Sequence, residues 1–358
     1  MKLPPLPVFF PDATRGLIKS LDTTDIENTG TNGILVNTYH LYKDLGIEYI
    51  KVRGGIKKFM NFRGFVISDS GGFQVGSLIK MNPTKGFVND KGATFKPVGE
   101  KVVKLTPESS IEFQMELGSD MVVVLDDFTD PKATYEEAKI SVDRTILWAK
   151  RSKDEFDRIT KNKKLKSNSR PLILGVVQGG YYQDLRKYCA EELVKIGFDG
   201  FGYGGWPMTK EGIFDLESAK TIADNTPKNY LLYGLGVGMP EDIVALHKLG
   251  YNIFDCVLPT RDARHGRAYV FKDENFGYEF VDLTKGKMMQ DDNKLSNRCD
   301  CLTCKRYTRS YLAHLFKTGD SIAGRLITIH NLRFYQTLMK KLGGVSLQSR
   351  NVTPIVQI

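Results

Sequence analysis

The chain has 358 residues, 41% of them hydrophobic and 26% charged, a composition normal for a globular protein. No apolar run approaches the ~20 residues that span a bilayer, and the opening MKLPPLPVFFPDATRG lacks the parts of a signal peptide, so the expected location is cytoplasmic. A formal net charge of +9 suits a polyanionic partner, because Lys and Arg displace counterions from phosphates.

In chain order, eight short apolar runs recur, each ending in a polar residue or glycine. They are Pro7–Pro11 (then Asp12), Ile34–Asn37, Phe65–Asp69, Met121–Asp127, Leu172–Gln178, Gly200–Gly205, Leu231–Gly238 and Ile253–Val257. Helix-like segments fill most of the gaps, among them Pro107–Leu117 behind Thr106 as N-cap, Thr134–Lys153 and Asp184–Ile196. Strands alternating with helices indicate a parallel sheet, and eight such units indicate an α/β fold of the (β/α)8 TIM-barrel type. A doubly wound open sheet is the alternative, weakened by the lack of a G-x-G-x-x-G after the first strand.

Two regions break the rhythm. Residues 80–104 read as an inserted β-hairpin turning at Asp90-Lys91-Gly92, and residues 151–170 as a polar, lysine-rich loop, either merely solvated or touching RNA. The predicted division is a barrel over residues 1–285 and a C-terminal metal-binding subdomain over 286–358.

Five cysteines occur, and three of them lie within six residues, so Cys299, Cys301 and Cys304 with His330 spell C-x-C-x2-C-x25-H. In a reducing compartment this pattern means metal rather than disulfides, and Cys3His is a standard structural zinc set. His330 borders the apolar stripe Ile322, Leu326, Ile329 and Leu332 of a helix predicted over Asp320–Leu342. An ordinary core histidine is therefore the competing reading, and His314 the competing fourth ligand. Four protein ligands would leave no place for water, so the expected ion, one Zn2+ per chain, is structural.

Chemistry in a TIM barrel sits at the C-terminal ends of the strands. Asp69, Asp126 and Asp255 all end or interrupt such runs. Capping of the next helix explains many aspartates at strand ends. Three on one rim, with Gln178 and the pair Gly204-Gly205, also make a polar pocket, and two carboxylates facing an anomeric carbon suit double-displacement glycosyl transfer.

The strings SDSGGFQV (68–75), LTPESS (105–110), GSDMVVVLDD (118–127), GVVQGG (175–180), GLGVGMPEDIV (234–244), FDCVLPTRDARHG (254–266) and CDCLTCKRYTRSYL (299–312) closely resemble the tRNA-guanine transglycosylase family. The matches run in order from about residue 7 to 340. The resemblance implies exchange of the wobble guanine of tRNA for a 7-deazaguanine base, queuine or its 7-aminomethyl counterpart, through a covalent enzyme–tRNA intermediate. It implies Asp255 as nucleophile and Asp69 as general acid/base. Asp126 would read the purine N1–H and exocyclic amine, with Gln178 and the Gly205 N–H directed at O6. Ser70, Gly71, Gly204 and Leu235 would complete the base site, and Phe73 would stack on the base. Arg261 and Arg264 would hold the RNA. The expected partners are the tRNA anticodon stem-loop, the 7-deazaguanine base and a second copy of the chain in a homodimer.

Two departures fall beside the base's 7-position. Relatives follow the Gly-Gly pair with a sequence close to LAVGE, where this chain has Trp206-Pro207-Met208-Thr209-Lys210, and bacterial D-E-C becomes Asp126-Asp127-Phe128. Lys210 at the glutamate position predicts weakened preference for a 7-aminomethyl base. Two other readings compete with the enzyme: a non-catalytic accessory subunit that binds tRNA, and a relative that modifies DNA.

Overall fold

The structure is a computed structural model that describes residues 3–81, 83–96, 102–274 and 276–344. Residues 345–358 of the predicted subdomain, and residues 82 and 97–101 of the predicted insertion, lie outside the described residues.

All eight apolar runs form strands, seven of them shorter than their runs and the second displaced by one residue. They are β1 (Val8–Pro11), β2 (Gly33–Val36), β3 (Phe65–Ser68), β4 (Met121–Val123), β5 (Leu172–Val177), β6 (Gly200–Tyr203), β7 (Leu231–Gly234) and β8 (Ile253–Cys256). Every ladder is parallel, and the order around the sheet is β1-β8-β7-β6-β5-β4-β3-β2. The remaining seam, β1 to β2, is spanned by a bridge of Asp12 to Leu35 and by hydrogen bonds from Ala13 N to Leu35 O (2.7 Å) and Asn37 N to Thr14 O (3.1 Å). The result is a nearly closed TIM barrel, as predicted.

Strand pleating decides which side chains reach the axis, because alternate residues point to opposite faces. Val8 and Phe10, Leu35, Phe65 and Ile67, Met121 and Val123, Leu174 and Val176, Leu231 and Tyr233, and Ile253 pack into one cluster that fills the barrel. Their neighbours of opposite parity, such as Phe9, Val122, Ile173, Leu232 and Phe254, pack in a second cluster with the surrounding helices. One pleat beyond each inward position, at the C-terminal rim, stand Asp12, Asn37, Asp69, Gln178, Leu235 and Asp255.

The helix predicted from Thr134 runs further than its sequence suggested, over Tyr135–Asn162. Residues 151–162 of the predicted loop are therefore helical. Their polarity is one-sided: Ser152, Phe156, Ile159 and Thr160 are buried, and Lys153–Asp157 and Arg158–Glu155 pair along the exposed face at helical spacing. Only the stretch after Asn162 is loop.

The insertion also differs from a simple hairpin. Gly86–Asn89 and Gly92–Phe95 pair antiparallel, as predicted, but Val103–Leu105 adds a third strand. Its tip is clamped to the long helix. The Asp90 carbonyl accepts from Trp148 Nε1 (3.0 Å) and Arg151 Nη1 (2.5 Å), and Arg144 reaches the Asp90 carboxylate at 3.2 Å.

Past the barrel, Arg267–Phe271 and Tyr278–Asp282 form an antiparallel pair, followed by helices Leu302–Arg306, Arg309–Thr318 and Ser321–Gly343. Ala268, Val270, Val281 and Leu283 share a core with Leu312, Leu326 and the cysteines Cys301 and Cys304.

Candidate active site and metal centre

Asp255 is the penultimate residue of β8, opposite Phe10 of β1, and is 8% exposed. Its Oδ1 accepts from Tyr233 Oη (2.7 Å) and from Gly236 N (2.8 Å), so β7 and its following turn hold it from one side. Burial raises its carboxyl to about 6 against the pull of these two donors. Asp69 follows β3. It accepts from Asn37 Nδ2 (2.5 Å), Thr38 N (2.9 Å) and Gly71 N (3.1 Å), and its own carbonyl accepts from Thr38 Oγ1 (2.5 Å). Burial pushes it up to about 7 despite these donors. Gly71 has a φ of +77°, a backbone that a side chain would strain, and this turns its N–H back onto the carboxylate. Ser70 is buried beneath, its carbonyl bonded by Ser110 Oγ at 2.9 Å.

On the opposite arc, Gln178 Nε2 donates to Asp126 Oδ2 (2.6 Å) while Gln178 Oε1 accepts from Thr129 N (3.2 Å). Burial, with the neighbouring charge of Asp127 adding to it, raises Asp126 to about 6. A Cβ on Gly204 would come within 2.8 Å of Gln178 Nε2, so only glycine lets the amide keep this place. Beside Asp126 opens a cavity of about 500 Å3, lined by Phe73, Leu125, Asp127, Phe128, Trp148 and Trp206 among others. Phe73 is 52% exposed and meets Phe128 edge-on, with centroids 5.3 Å apart. Trp206 thus faces the cavity, whereas Lys210 is exposed and takes no part in its lining. Leu235 stands half-buried on the barrel axis, against the position of Gly202.

The rim therefore gathers Asp69, Ser70, Gly71, Phe73, Asp126, Gln178, Gly204, Gly205, Leu235 and Asp255. Arg261 and Arg264 stand on the following helix, Leu258–Arg264, Arg261 exposed and Arg264 bonded to Thr260 O at 2.9 Å.

Sequence reading missed Arg186. It is fully buried, and its guanidinium donates to Gly180 O (2.8 Å), Val177 O (3.2 Å) and Gly204 O (3.1 Å), tying together the loops that carry Gln178 and the Gly-Gly pair. The available signal was its position on the apolar stripe of Cys189, Ala190 and Leu193, where an arginine has to find buried acceptors.

The donor atoms of Cys299, Cys301, Cys304 and His330 all lie within 4.8 Å of one another, so the cluster can hold a metal ion. His314, the competing ligand, is exposed and stands outside it. His330 Nδ1 points to Cys304 Sγ (3.2 Å) and Cys301 Sγ (3.7 Å), and Nε2 lies 2.8 Å from Tyr269 O, the outer contact that fixes ring orientation in metal-binding histidines. Cys301 caps helix Leu302–Arg306, where the Cys304 N–H favours a thiolate. The next residue carries the brace to the rim: Asn331 accepts from Tyr269 N (3.1 Å) and donates to Pro259 O (2.9 Å) and Arg267 O (3.0 Å). Pro259 belongs to the helix of Arg261 and Arg264.

These features define a (β/α)8 barrel with acidic groups gathered at the C-terminal mouth of its strands and a Cys3His cluster able to hold a metal ion behind it. A family model described as queuine tRNA-ribosyltransferase matches residues 4–343. The queuine tRNA-ribosyltransferase of Actinobacillus pleuropneumoniae serotype 3 (strain JL03) is 40% identical over 341 residues, covering 94% of this chain and 84% of its own length. Those of Pasteurella multocida (strain Pm70) and Aliivibrio fischeri (strain MJ11) are each 38% identical, over 94% of this chain and 83% and 85% of their own lengths. The chain belongs to the queuine tRNA-ribosyltransferase family and is a pentosyl-transferring enzyme. Among the described residues no helix is long and apolar enough to cross a membrane.

Proposed function

We propose that the enzyme exchanges the wobble guanine of tRNA for a 7-deazaguanine base by double displacement, acting in the cytoplasm. The observation that carries this is the placement of Asp69 and Asp255 in one inward layer of the rim, each held by donors, Asp255 buried and Asp69 partly buried. With Tyr233 and Gly236 bound to Oδ1, Asp255 attacks C1′ through Oδ2. The C1′–N9 bond breaks, guanine leaves with a proton from Asp69 on N9, and an aspartyl ester joins the RNA to the enzyme. The incoming base then returns its N9 proton to Asp69, and N9 displaces the ester. A group near pH 7 serves as both acid and base, which suits Asp69 at about 7. Intact Asp69 and Asp255 favour this over an accessory subunit.

Asp126, Gln178 and Gly205 read the purine edge, Leu235 and the Ser70-Gly71 turn bound it, and Phe73 stacks on it. Phe128 and Trp206 put aromatic surface where the 7-substituent goes, which supports queuine, the bulkier base. Arg261 and Arg264 face RNA phosphates. Cys299, Cys301, Cys304 and His330 would hold Zn2+, whose contribution is structural, since all four positions of a tetrahedron are filled. A homodimer belongs to the same reading, with exposed Leu302, Tyr311 and Ile322 offering apolar surface.

The test is exchange of radiolabelled guanine out of tRNA, competed by queuine and by the 7-aminomethyl base. No exchange by metal-replete protein on any tRNA would overturn the reading.

A further inference from the structure

Asp12 is a rim carboxylate that the exchange chemistry above does not use. It stands one pleat beyond Phe10, and Val8 and Phe10 both point into the barrel, so Asp12 belongs to the same inward layer as Asp69 and Asp255. Its place is the seam. On one side β1 pairs with the strand of Asp255, in the register Phe10 to Asp255. On the other, Asp12 itself bridges to Leu35, two residues before the asparagine that holds Asp69. Thr14 Oγ1 donates to Asp12 Oδ1 at 2.6 Å, and the Thr14 carbonyl accepts from Asn37 N, so a short chain of contacts links Asp12 to the Asp69 anchor. Asp12 is only partly buried. Behind the dominant effect of burial, its negative charge helps to raise both Asp69 and Asp255, and it opposes the lowering of Arg264.

Three acidic groups around one reacting carbon leave few choices for what the third one meets. The purine is taken by Asp126 and Gln178 on the far arc. A phosphate would be repelled by a carboxylate. What remains on the sugar beside C1′ is a hydroxyl, a donor that matches an acceptor-only group. Building on the base-exchange reading above, we propose that Asp12 is a substrate-binding residue whose carboxylate accepts a hydrogen bond from the 2′-hydroxyl of the target nucleotide, and so selects ribose over deoxyribose. Such a bond strengthens as positive charge develops at the anomeric centre, so it acts on rate as well as on fit.

The experiment pairs Asp12→Ala with two RNA stem-loops, one carrying guanosine and the other 2′-deoxyguanosine at the exchanged position, and reads labelled-guanine exchange as kcat/KM. The parent should prefer the ribonucleotide by about tenfold or more, and Asp12→Ala should lose about tenfold on that substrate while changing less than about twofold on the deoxy one. The intrinsic lability of the deoxynucleotide cancels, because both proteins face the same pair of substrates. Asp12→Asn, which keeps an amide oxygen toward Thr14, should fall between the two and replaces Asp12→Ala if that protein does not fold. Equal losses on both substrates would show a purely electrostatic or structural role and overturn the proposal. So would no loss on either. A parent that exchanges guanine in neither RNA nor intact tRNA overturns the base-exchange reading, and this proposal with it.

Discussion

The rim and the metal centre treat buried polar groups in opposite ways. At the metal centre each such group is matched: His330 has a carbonyl for the nitrogen that does not face sulfur, Thr303 bonds Leu326 O at 2.6 Å, and Asn331 makes three bonds. At the rim Asp255 is buried and Asp69 and Asp126 partly so, with amide and hydroxyl donors and, among the described residues, no cation bonded to them, and desolvation raises all three. The first arrangement yields rigidity. The second keeps charge in a costly state, which suits the roles proposed above for Asp255 and Asp69 near neutral pH.

The largest effect should come from removing the proposed nucleophile. Asp255→Asn should lower exchange by about a thousandfold or more, since an amide forms no glycosyl ester. A protein–tRNA adduct that survives denaturation should form with the parent and not with the variant, and gel analysis decides it. The converse holds at the metal centre, where Cys301→Ala or His330→Ala should give metal-poor protein destabilised by several kcal/mol. Elemental analysis with thermal melting checks this, and full zinc occupancy in His330→Ala would remove that residue from the ligand set.

The contrast also has a pH signature. A carboxyl raised on folding contributes no penalty below its unfolded value near 3.8, and opposes folding increasingly as pH rises through its folded value. Asp69→Asn should therefore melt a few degrees above the parent at pH 8, a gain of ~1–3 kcal/mol, and the gain should vanish near pH 4. A constant difference across that range would mean that Asp69 is not held in a raised state. The smallest effect concerns the cavity. Replacing Trp206 and Phe128 by leucine and cysteine should shift kcat/KM toward the 7-aminomethyl base by a few-fold, ~1 kcal/mol. An aminomethyl preference of tenfold or more in the parent would show that the aromatic wall does not govern choice.

The chain order of strands was legible because each barrel strand belongs to an apolar run ended by a polar residue or glycine, so one signal marked both the fold and most of the rim. The Cys3His pattern was legible because the spacing of its cysteines is local. The second half of the long helix was not, since lysine-rich composition hides an apolar stripe as sparse as Phe156 and Ile159. Val103–Leu105 was missed because a three-residue strand has too few residues to show a period. Arg186 and Asn331 act through main-chain carbonyls of distant segments, and no spacing in sequence encodes such partners.

The clamp on the insertion tip has a thermodynamic consequence. With Trp148, Arg144 and Arg151 already bound to Asp90, Val88 and Ala93 form part of the cavity wall before any ligand arrives. A substituent entering there has little ordering entropy to overcome, and the area it buries is mostly apolar. Its calorimetric mark would be a negative heat-capacity change, and loosening the clamp, by Arg151→Ala for instance, would appear as slower capture and faster release of the base rather than as a change in the bond-making step.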